Sequence, residues 1–507
     1  MKESDIEALA LKIEEAARST EEGVRYFIEP APGTLKRAIA KRHHVIFGRR
    51  GSGKSSLLRK AAAELTVDRR PIALVNLETF KSHSYPDVLL SVLIATFREF
   101  ANWLKTAAIN PPTKTSFWKR LFNTEPKRPA FNRKQSKALS GLLEQHISQL
   151  EQQLHSMDNV DLTVTKGMKK EAGTKAGIGS KLGSESAGVS VDLASSRQVT
   201  QTEDITESYK RLKVEFLHRH IMEYQQIFRD IAVLSGGDSF LFLDDLYQLG
   251  RPDQPSVIDY FHRIAKDNGL WLKIGTIRHR SDWYRLGNPP VGVKLGDDVD
   301  EIDLDVTLEK YATAKRFLMS ILRKFAMECS IDLSELLTDG AQDRLVLASG
   351  GVARDCLAIF RKSIQIGREQ SQERLNTEHV NEASGEYETS KREDFRRDSA
   401  DDEEELEAAF QNVVTFCLLQ RNTNCFLIDK NLRGKTAELI HQLVDLKLLH
   451  LARSRVTIRT RPGDIFEAYM LDFSQYSGSR RRRGLNVIEF WKSEDVLRKA
   501  TLIYSGT

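Results

Sequence analysis

The stretch Gly48–Ser56, GRRGSGKSS, constrains this chain more than any other nine residues. It stands between an apolar run, HVIF, and a helical one, SSLLRKAAAEL, in which Leu57, Leu58, Ala61 and Leu65 share a face. Strand, glycine-rich turn and helix are thus predicted in immediate succession. The pattern G-x-x-x-x-G-K-S/T is met by Gly48, Gly53, Lys54 and Ser55. Such a loop needs glycine because its backbone takes conformations closed to larger residues. In return its N–H groups, reinforced by the positive end of the next helix, cradle phosphate oxygens. The whole loop (Gly48, Arg49, Arg50, Gly51, Ser52, Gly53, Lys54, Ser55, Ser56) is therefore the predicted cofactor-binding element. In this arrangement Lys54 reaches the β- and γ-phosphates of ATP and the Ser55 hydroxyl ligates Mg2+. The competing reading is a plain glycine turn, against which the flanking strand and helix argue.

A phosphate loop of this kind needs a carboxylate from a neighbouring strand. SFLFLDDL, residues 239–246, supplies Asp244 and Asp245 after a continuous apolar run, the mark of a buried central strand. Asp244 is the predicted metal partner with Ser55, and Asp245 the group that orients or deprotonates the attacking water. An acidic turn after a strand is the bland alternative. PIALVNLETF and LWLKIGTIR read as further strands, the second tipped by Thr276, a candidate for sensing the γ-phosphate or placing water. Arg278, Arg280 and Arg285 follow it and are candidate phosphate contacts, although charged loop residues are usually just solvated.

The order of phosphate loop, acidic strand, polar-tipped strand and helical region resembles the AAA+ ATPases and the related STAND switch ATPases. Within it, Gly350-Gly351-Val352-Ala353-Arg354-Asp355 resembles the sensor-2 segment G-G/D-x-x-R of the origin-recognition and Cdc6-like branch, and LNTEHVNEA the helix that closes that branch's lid. The resemblance spans about residues 20–390 apart from an insertion. It implies an α/β fold, a P-loop NTPase parallel sheet with a helical lid, and Arg354 projecting from the lid to the γ-phosphate. The catalytic set it implies is Lys54, Asp245, Thr276 and Arg354. Many AAA+ enzymes carry Asp-Glu where this chain has Asp244-Asp245, so turnover is expected to be slow, as in a timed switch.

Between the two halves of the site lies a segment foreign to a compact core. Lys114, Lys119, Arg120, Lys127, Arg128, Arg133, Lys134 and Lys137 are interleaved with Phe117, Trp118, Phe122 and Phe131. That mixture suits nucleic-acid contact and equally a surface loop anchored by its rings. Leu139, Leu143, Ile147, Leu150, Leu154 and Met157 form one helical stripe, and Leu212, Phe216, Ile221, Tyr224 and Phe228 a second, which together predict a helical hairpin. VDLTV and VSVDL around the Gly/Lys-rich residues 166–188 read as a strand pair with a mobile tip, or as a linker.

After the charged stretch SKREDFRRDSADDEEE, the expected elements are a helix, a helix-turn-helix-like run over NLRGKTAELIHQLVDLKLLHL, and two strands joined at Pro462-Gly463. That order is similar to a winged helix. As a DNA reader it would use Arg433 and Lys435 at a helix start and Arg453, Arg455, Arg459 and Arg461 on the hairpin, with the Arg480–Arg483 block as a further cationic patch. The divisions expected are 1–110 (first part of the ATPase core), 111–234 (insertion), 235–308 (second part), 309–390 (lid), 391–404 (linker) and 405–507 (winged-helix-like domain and basic tail).

A chain of 507 residues has length for several such cores. Lys+Arg of 76 against Asp+Glu of 71 is too even to name a nucleic-acid binder from charge alone. Cys329, Cys356, Cys417 and Cys425 form no C-x-x-C pair and read as reduced core thiols. The start is an acidic amphipathic helix without the apolar core of a secretion signal, and no stretch reaches a membrane span, so a cytoplasmic protein is expected. Two functions fit. One is an ATPase coupling nucleotide state to duplex DNA binding or remodelling. The other is a STAND-like switch that forms a homo-oligomer or recruits a separate effector protein, for instance in bacterial antiphage defence. No nuclease or protease constellation is evident.

Overall fold

The structure is a computed structural model describing residues 3–16, 25–67, 70–109, 131–156, 189–398, 402–477 and 484–506, with residues 3–4, 16, 67, 189–208, 398 and 494 as backbone alone. Its elements begin with helix α1 (Glu3–Ala16), strand β1 (His44–Phe47), α2 (Lys54–Val67) and β2 (Ile72–Asn76). Three long helices follow, α3 (Asp87–Ile109), α4 (Arg133–Leu154) and α5 (Val189–Ser235). Then come β3 (Ser239–Asp244), α6 (Gln254–Ala265), β4 (Leu270–Thr276), the small hairpin β5 (Tyr284–Arg285) and β6 (Val291–Gly292), and β7 (Asp300–Asp303). The lid comprises α7 (Tyr311–Glu328), α8 (Asp339–Ser349), α9 (Ala353–Glu369) and α10 (Thr377–Asp398). A last module holds α11 (Glu403–Val414), β8 (Cys425–Asp429), α12 (Lys435–Asp445), β9 (Leu449–Ile458) and β10 (Arg461–Leu471).

The main sheet is parallel, in the order β2-β3-β4-β1-β7. β1 and β3 are buried at every position, as apolar runs in a two-sided sheet must be. Alternate residues serve opposite faces. Ile46, Phe240 and Phe242 pack with Leu57, Leu58, Ala61 and Leu65 of α2. Val45, Leu241, Leu243 and Ile274 pack with residues of α3, α5 and α6. This gives the three-layer α/β sandwich expected of a phosphate-loop protein.

The insertion shares that second core. Phe97 meets Tyr224 edge-on at 4.8 Å, Phe100 meets Phe228 at 5.1 Å, and the Ser136 hydroxyl of α4 donates to Leu104 O of α3 at 2.7 Å. The hairpin expected between α4 and α5 is therefore part of a three-helix layer that includes α3. Leu212, expected on the buried stripe, is 57 % exposed; the stripe instead runs through Leu217, Ile221, Tyr224, Phe228 and Ile231. VSVDL, read as a strand, is the start of α5, because three alternating residues are too few to separate the two periods. Lys114 to Arg128, Met157, VDLTV, the 166–188 tip and Arg480–Arg483 lie outside the described residues. Phe131 packs against Trp103, while Arg133, Lys134 and Lys137 are exposed.

The C-terminal module corrects two expectations. In place of a helix-turn-helix there is one helix, α12, preceded by a turn at Gly434, and LHL belongs to β9. The hairpin turns at Arg459-Thr460, not at Pro462-Gly463, which lie inside β10 where the pairing is irregular. The sheet order is β8-β10-β9. α10 runs to Asp398, through most of the segment read as a linker. Lid and C-terminal module share one continuous apolar core, from Phe317 and Phe360 to Leu443 and Phe466, onto which Leu9 and Ile13 of α1 also pack. No described helix is long and apolar enough to cross a membrane.

Candidate functional site

The site forms at the C-terminal ends of the central strands, where the loops of a parallel sheet gather. β1 ends at Phe47, and the chain turns through Gly48 to Gly53 before α2 starts at Lys54. Gly51 and Gly53 have φ of 89° and 99°, conformations a Cβ disfavours. Lys54 is buried, and its ammonium donates to the carbonyl oxygens of Gly48 (2.8 Å) and Arg49 (3.3 Å). Burial pushes its pKa down, opposed by the carboxylates of Asp245 and Asp244.

Asp244 ends β3 and hydrogen-bonds the Ser55 hydroxyl. The strand carrying it is not the neighbour of β1: β4 lies between them. The carboxylate reaches across because β4 has glycine at the crossing. A Cβ on Gly275 would stand 2.9 Å from Asp244 Oδ1 and 3.1 Å from Leu58 Cδ1. Burial raises the pKa of Asp244, against the Ser55 hydrogen bond and the Lys54 charge. Asp245 is pushed up to about 6, by burial first and then by Asp244. Its φ of 57° is a left-handed conformation that aspartate tolerates better than most residues. Two crowded carboxylates, Asp244 buried beside a hydroxyl and Asp245 half-buried at the cavity, suit a hard cation with oxygen ligands. The buried Ser52 hydroxyl has no hydrogen-bond partner among the described residues and is turned back against Gly48, where a Cβ would lie 2.3 Å from it.

The lid closes over this loop. Arg354 N donates to Gly51 O at 3.2 Å, and a Cβ on Gly51 would lie 2.7 Å from Arg354 Cβ. Between loop and lid lies a cavity of about 240 Å³ lined by Arg50 to Ser56, Asp245 and Arg354. Its apolar wall consists of Tyr26, Phe27, Ile28, Phe317, Ile321, Phe325 and Leu357, none singled out from sequence. Tyr26 stacks on Phe325 with ring centroids 4.4 Å apart. Phe317, Ile321 and Phe325 were visible as a helical stripe, but such a stripe looks the same whether it faces a core or a ligand.

Other predicted site residues are placed elsewhere. Arg49 is 3 % exposed, and its guanidinium is held by Asp305 Oδ1 (3.3 Å), Val306 O (3.2 Å) and Gly350 O (3.1 Å), so it joins loop to lid. Thr276 is fully buried with its hydroxyl on that of Ser281, and its carbonyl accepts from Gly48 N at 3.2 Å. Arg278 lies over the Phe47 ring at 4.0 Å and pairs with Glu301 at 3.1 Å. Arg285 donates to Pro252 O at 3.2 Å. Arg50, Ser56 and Arg354 do line the cavity.

Strand order, glycine loop and lid together define an α/β fold of the P-loop NTPase type. No family model and no curated protein sequence matches the chain. Among solved structures it is similar to the Aeropyrum pernix ORC1 protein in complex with DNA, at 13 % identity and TM-score 0.33 over 89 % of this chain and 91 % of that one. It is also similar to Cdc6p from Pyrobaculum aerophilum, at 12 % and 0.32 over 87 % and 88 %. A third is Drosophila ORC bound to DNA, at 11 % and 0.32 over 93 % and 90 %. Likenesses this distant add nothing to the site geometry.

Proposed function

We propose that the chain binds ATP with magnesium at the Gly48–Ser56 loop, hydrolyses it slowly, and couples nucleotide state to duplex DNA through its C-terminal module. The observation that carries the nucleotide reading is the convergence on one cavity of Lys54, Ser55, Asp245 and the lid residue Arg354, with Asp244 behind Ser55. The loop amides and Lys54 hold the phosphates, exchanging the lysine's present bonds to Gly48 and Arg49 for phosphate oxygens. Ser55 and Asp244 hold the metal, which when bound neutralises phosphate charge. Asp245, a carboxylate with a pKa raised to about 6, takes the proton of the attacking water. Arg354 reads the γ-phosphate, and the Tyr26–Phe325 wall takes the base.

The DNA part of the proposal rests on the hairpin rather than on α12. That helix carries Glu438 and Asp445, and its C-terminal end is docked on the core: Asp445 accepts from His279 N at 2.9 Å, and His441 stacks on His279 at 4.8 Å. Arg455 on β9, Arg459 in the turn and Arg461 on β10 remain exposed and fit a phosphate backbone. The same docking favours the second reading, a STAND-like switch that oligomerises or recruits an effector when nucleotide frees α12. The deciding experiment is MgATP binding and turnover by the full chain, with Lys54→Ala as control and with duplex DNA added. Loss of binding in Lys54→Ala and a DNA-dependent rate support the proposal; a wild-type chain with no affinity for MgATP overturns it. Light scattering with ATP and ADP separates the switch.

A further inference from the structure

The lid and the C-terminal module are joined by a buried ionic cluster that begins one residue after Arg354. Asp355 is fully buried at the start of α9. Its Oδ1 accepts from Lys447 Nζ at 2.9 Å and from the Tyr387 hydroxyl at 3.3 Å. Lys391 of α10 lies 3.9 Å from Asp355 Oδ2 and 2.6 Å from Asp472 Oδ2, and it donates to Ala348 O at 3.3 Å. Asp472 also takes His450 Nε2 at 2.8 Å. All of these charged groups are at most 4 % exposed along their side chains. Two lysines balance two aspartates, and burial holds the histidine ring neutral, so the cluster is internally compensated.

Its chain provenance matters more than its strength. Asp355, Tyr387 and Lys391 come from the lid; Lys447, His450 and Asp472 come from the C-terminal module. His450 also presses on the lid's glycine pair: a Cβ on Gly350 would lie 2.0 Å from the His450 ring. Gly350 O is in turn the acceptor for Arg49 of the phosphate loop. Removing Lys447 takes away the nearer of two cations and leaves the buried Asp355 carboxylate with the Tyr387 hydroxyl and Lys391 at 3.9 Å, on the first turn of the helix whose Arg354 N–H is bonded to Gly51 O. Any shift of that turn toward Lys391 carries Arg354 with it.

We infer that Asp355 is a positioning residue for Arg354, and that Lys447, reaching in from the C-terminal module, sets how Arg354 meets the phosphates. The inference rests on the nucleotide reading given above. The C-terminal module thereby completes the triphosphate-reading side of the site without touching the cavity.

The test compares the full wild-type chain with Lys447→Gln, Tyr387→Phe, Arg354→Ala and the double variant Lys447→Gln/Arg354→Ala, using fluorescent ATP and ADP analogues with magnesium. Positioning expects Lys447→Gln to lose at least fivefold of the preference for ATP over ADP, with ADP affinity held within twofold. It expects the double variant to be no worse than Arg354→Ala. Tyr387→Phe, which removes one hydroxyl and leaves both lysines in place, keeps the test open should Lys447→Gln not fold; a loss of ATP preference of about twofold with ADP affinity unchanged is expected. Equal losses for ATP and ADP, or additive losses in the double variant, show a merely structural cluster and overturn the inference. An Arg354→Ala chain that retains its ATP preference also overturns it while leaving the loop reading intact. A wild-type chain that binds neither nucleotide overturns both.

Discussion

Arg49→Met separates two roles for one residue of the phosphate loop. In the structure the Arg49 guanidinium is buried and makes bonds of 3.1–3.3 Å to Gly350 O, Val306 O and Asp305 Oδ1. Methionine keeps much of the stem but strands the buried Gly350 carbonyl and the half-buried Val306 carbonyl, and leaves Asp305 only the backbone N–H of residue 49, at 2.9 Å. Unsatisfied buried acceptors cost about 1–3 kcal/mol each, and breaking a buried pair about 3–5 kcal/mol. Asp305 keeps 21 % of its side chain in water, so the lower end, about 3 kcal/mol, is the sounder expectation. That cost falls on the seam between core and lid. Hydrogen exchange of the Arg354 amide, bonded across the seam to Gly51 O, reports it directly. An opening about 3 kcal/mol easier speeds that exchange on the order of a hundredfold in the nucleotide-free chain. If Arg49 instead serves as a phosphate ligand, exchange without nucleotide stays within a few-fold of wild type and only ATP affinity falls. That result refutes the seam argument.

Asp245→Asn keeps the left-handed backbone and removes the proposed base, so MgATP affinity should hold while single-turnover hydrolysis falls by about 10²–10⁴; equal rates remove Asp245 from the chemistry. Gly275→Ala puts a Cβ 2.9 Å from Asp244 Oδ1 and should raise the magnesium needed for ATP binding by roughly tenfold, the cost of one displaced charged ligand contact, read by titration. Replacing Arg455, Arg459 and Arg461 by alanine should lower the log–log salt slope of duplex DNA binding by about three; an unchanged slope moves the contact elsewhere. His43 and His44 are pushed down to about 3, by burial first, with Lys273 adding to it. The unfolded rings protonate near 6.5 and the folded ones only near 3. Stability from this pair is therefore whole above pH 6.5 and is lost as pH falls through that window. The urea midpoint should drop between pH 7 and pH 5, and a flat midpoint contradicts it.

The loop and the acidic strand were legible because each is a local requirement. Gly51 and Gly53 must be glycine for their own φ, and Asp244 follows its own apolar run. What sequence could not separate was a polar residue facing a ligand from one joining two parts of the fold. Arg49, Thr276 and Arg278 sit in the right loops, but their partners, Gly350, Ser281 and Glu301, are chosen by packing. The position of β4 between β1 and β3 is equally non-local, and with it the need for Gly275. The same holds for Lys391 and Lys447, which in sequence are two among many surface-type lysines. Some contacts of this kind gather at one seam. Arg49 and the Arg354 N–H cross from phosphate loop to lid, and His279 on Asp445 crosses from the loop after β4 to the C-terminal module. Beyond these contacts, lid and C-terminal module share a core and an ionic cluster. On the proposed nucleotide reading, a phosphate in the loop draws Lys54 off the Gly48 and Arg49 carbonyls, next to the residue that holds this seam, and that reading places nucleotide-linked movement here.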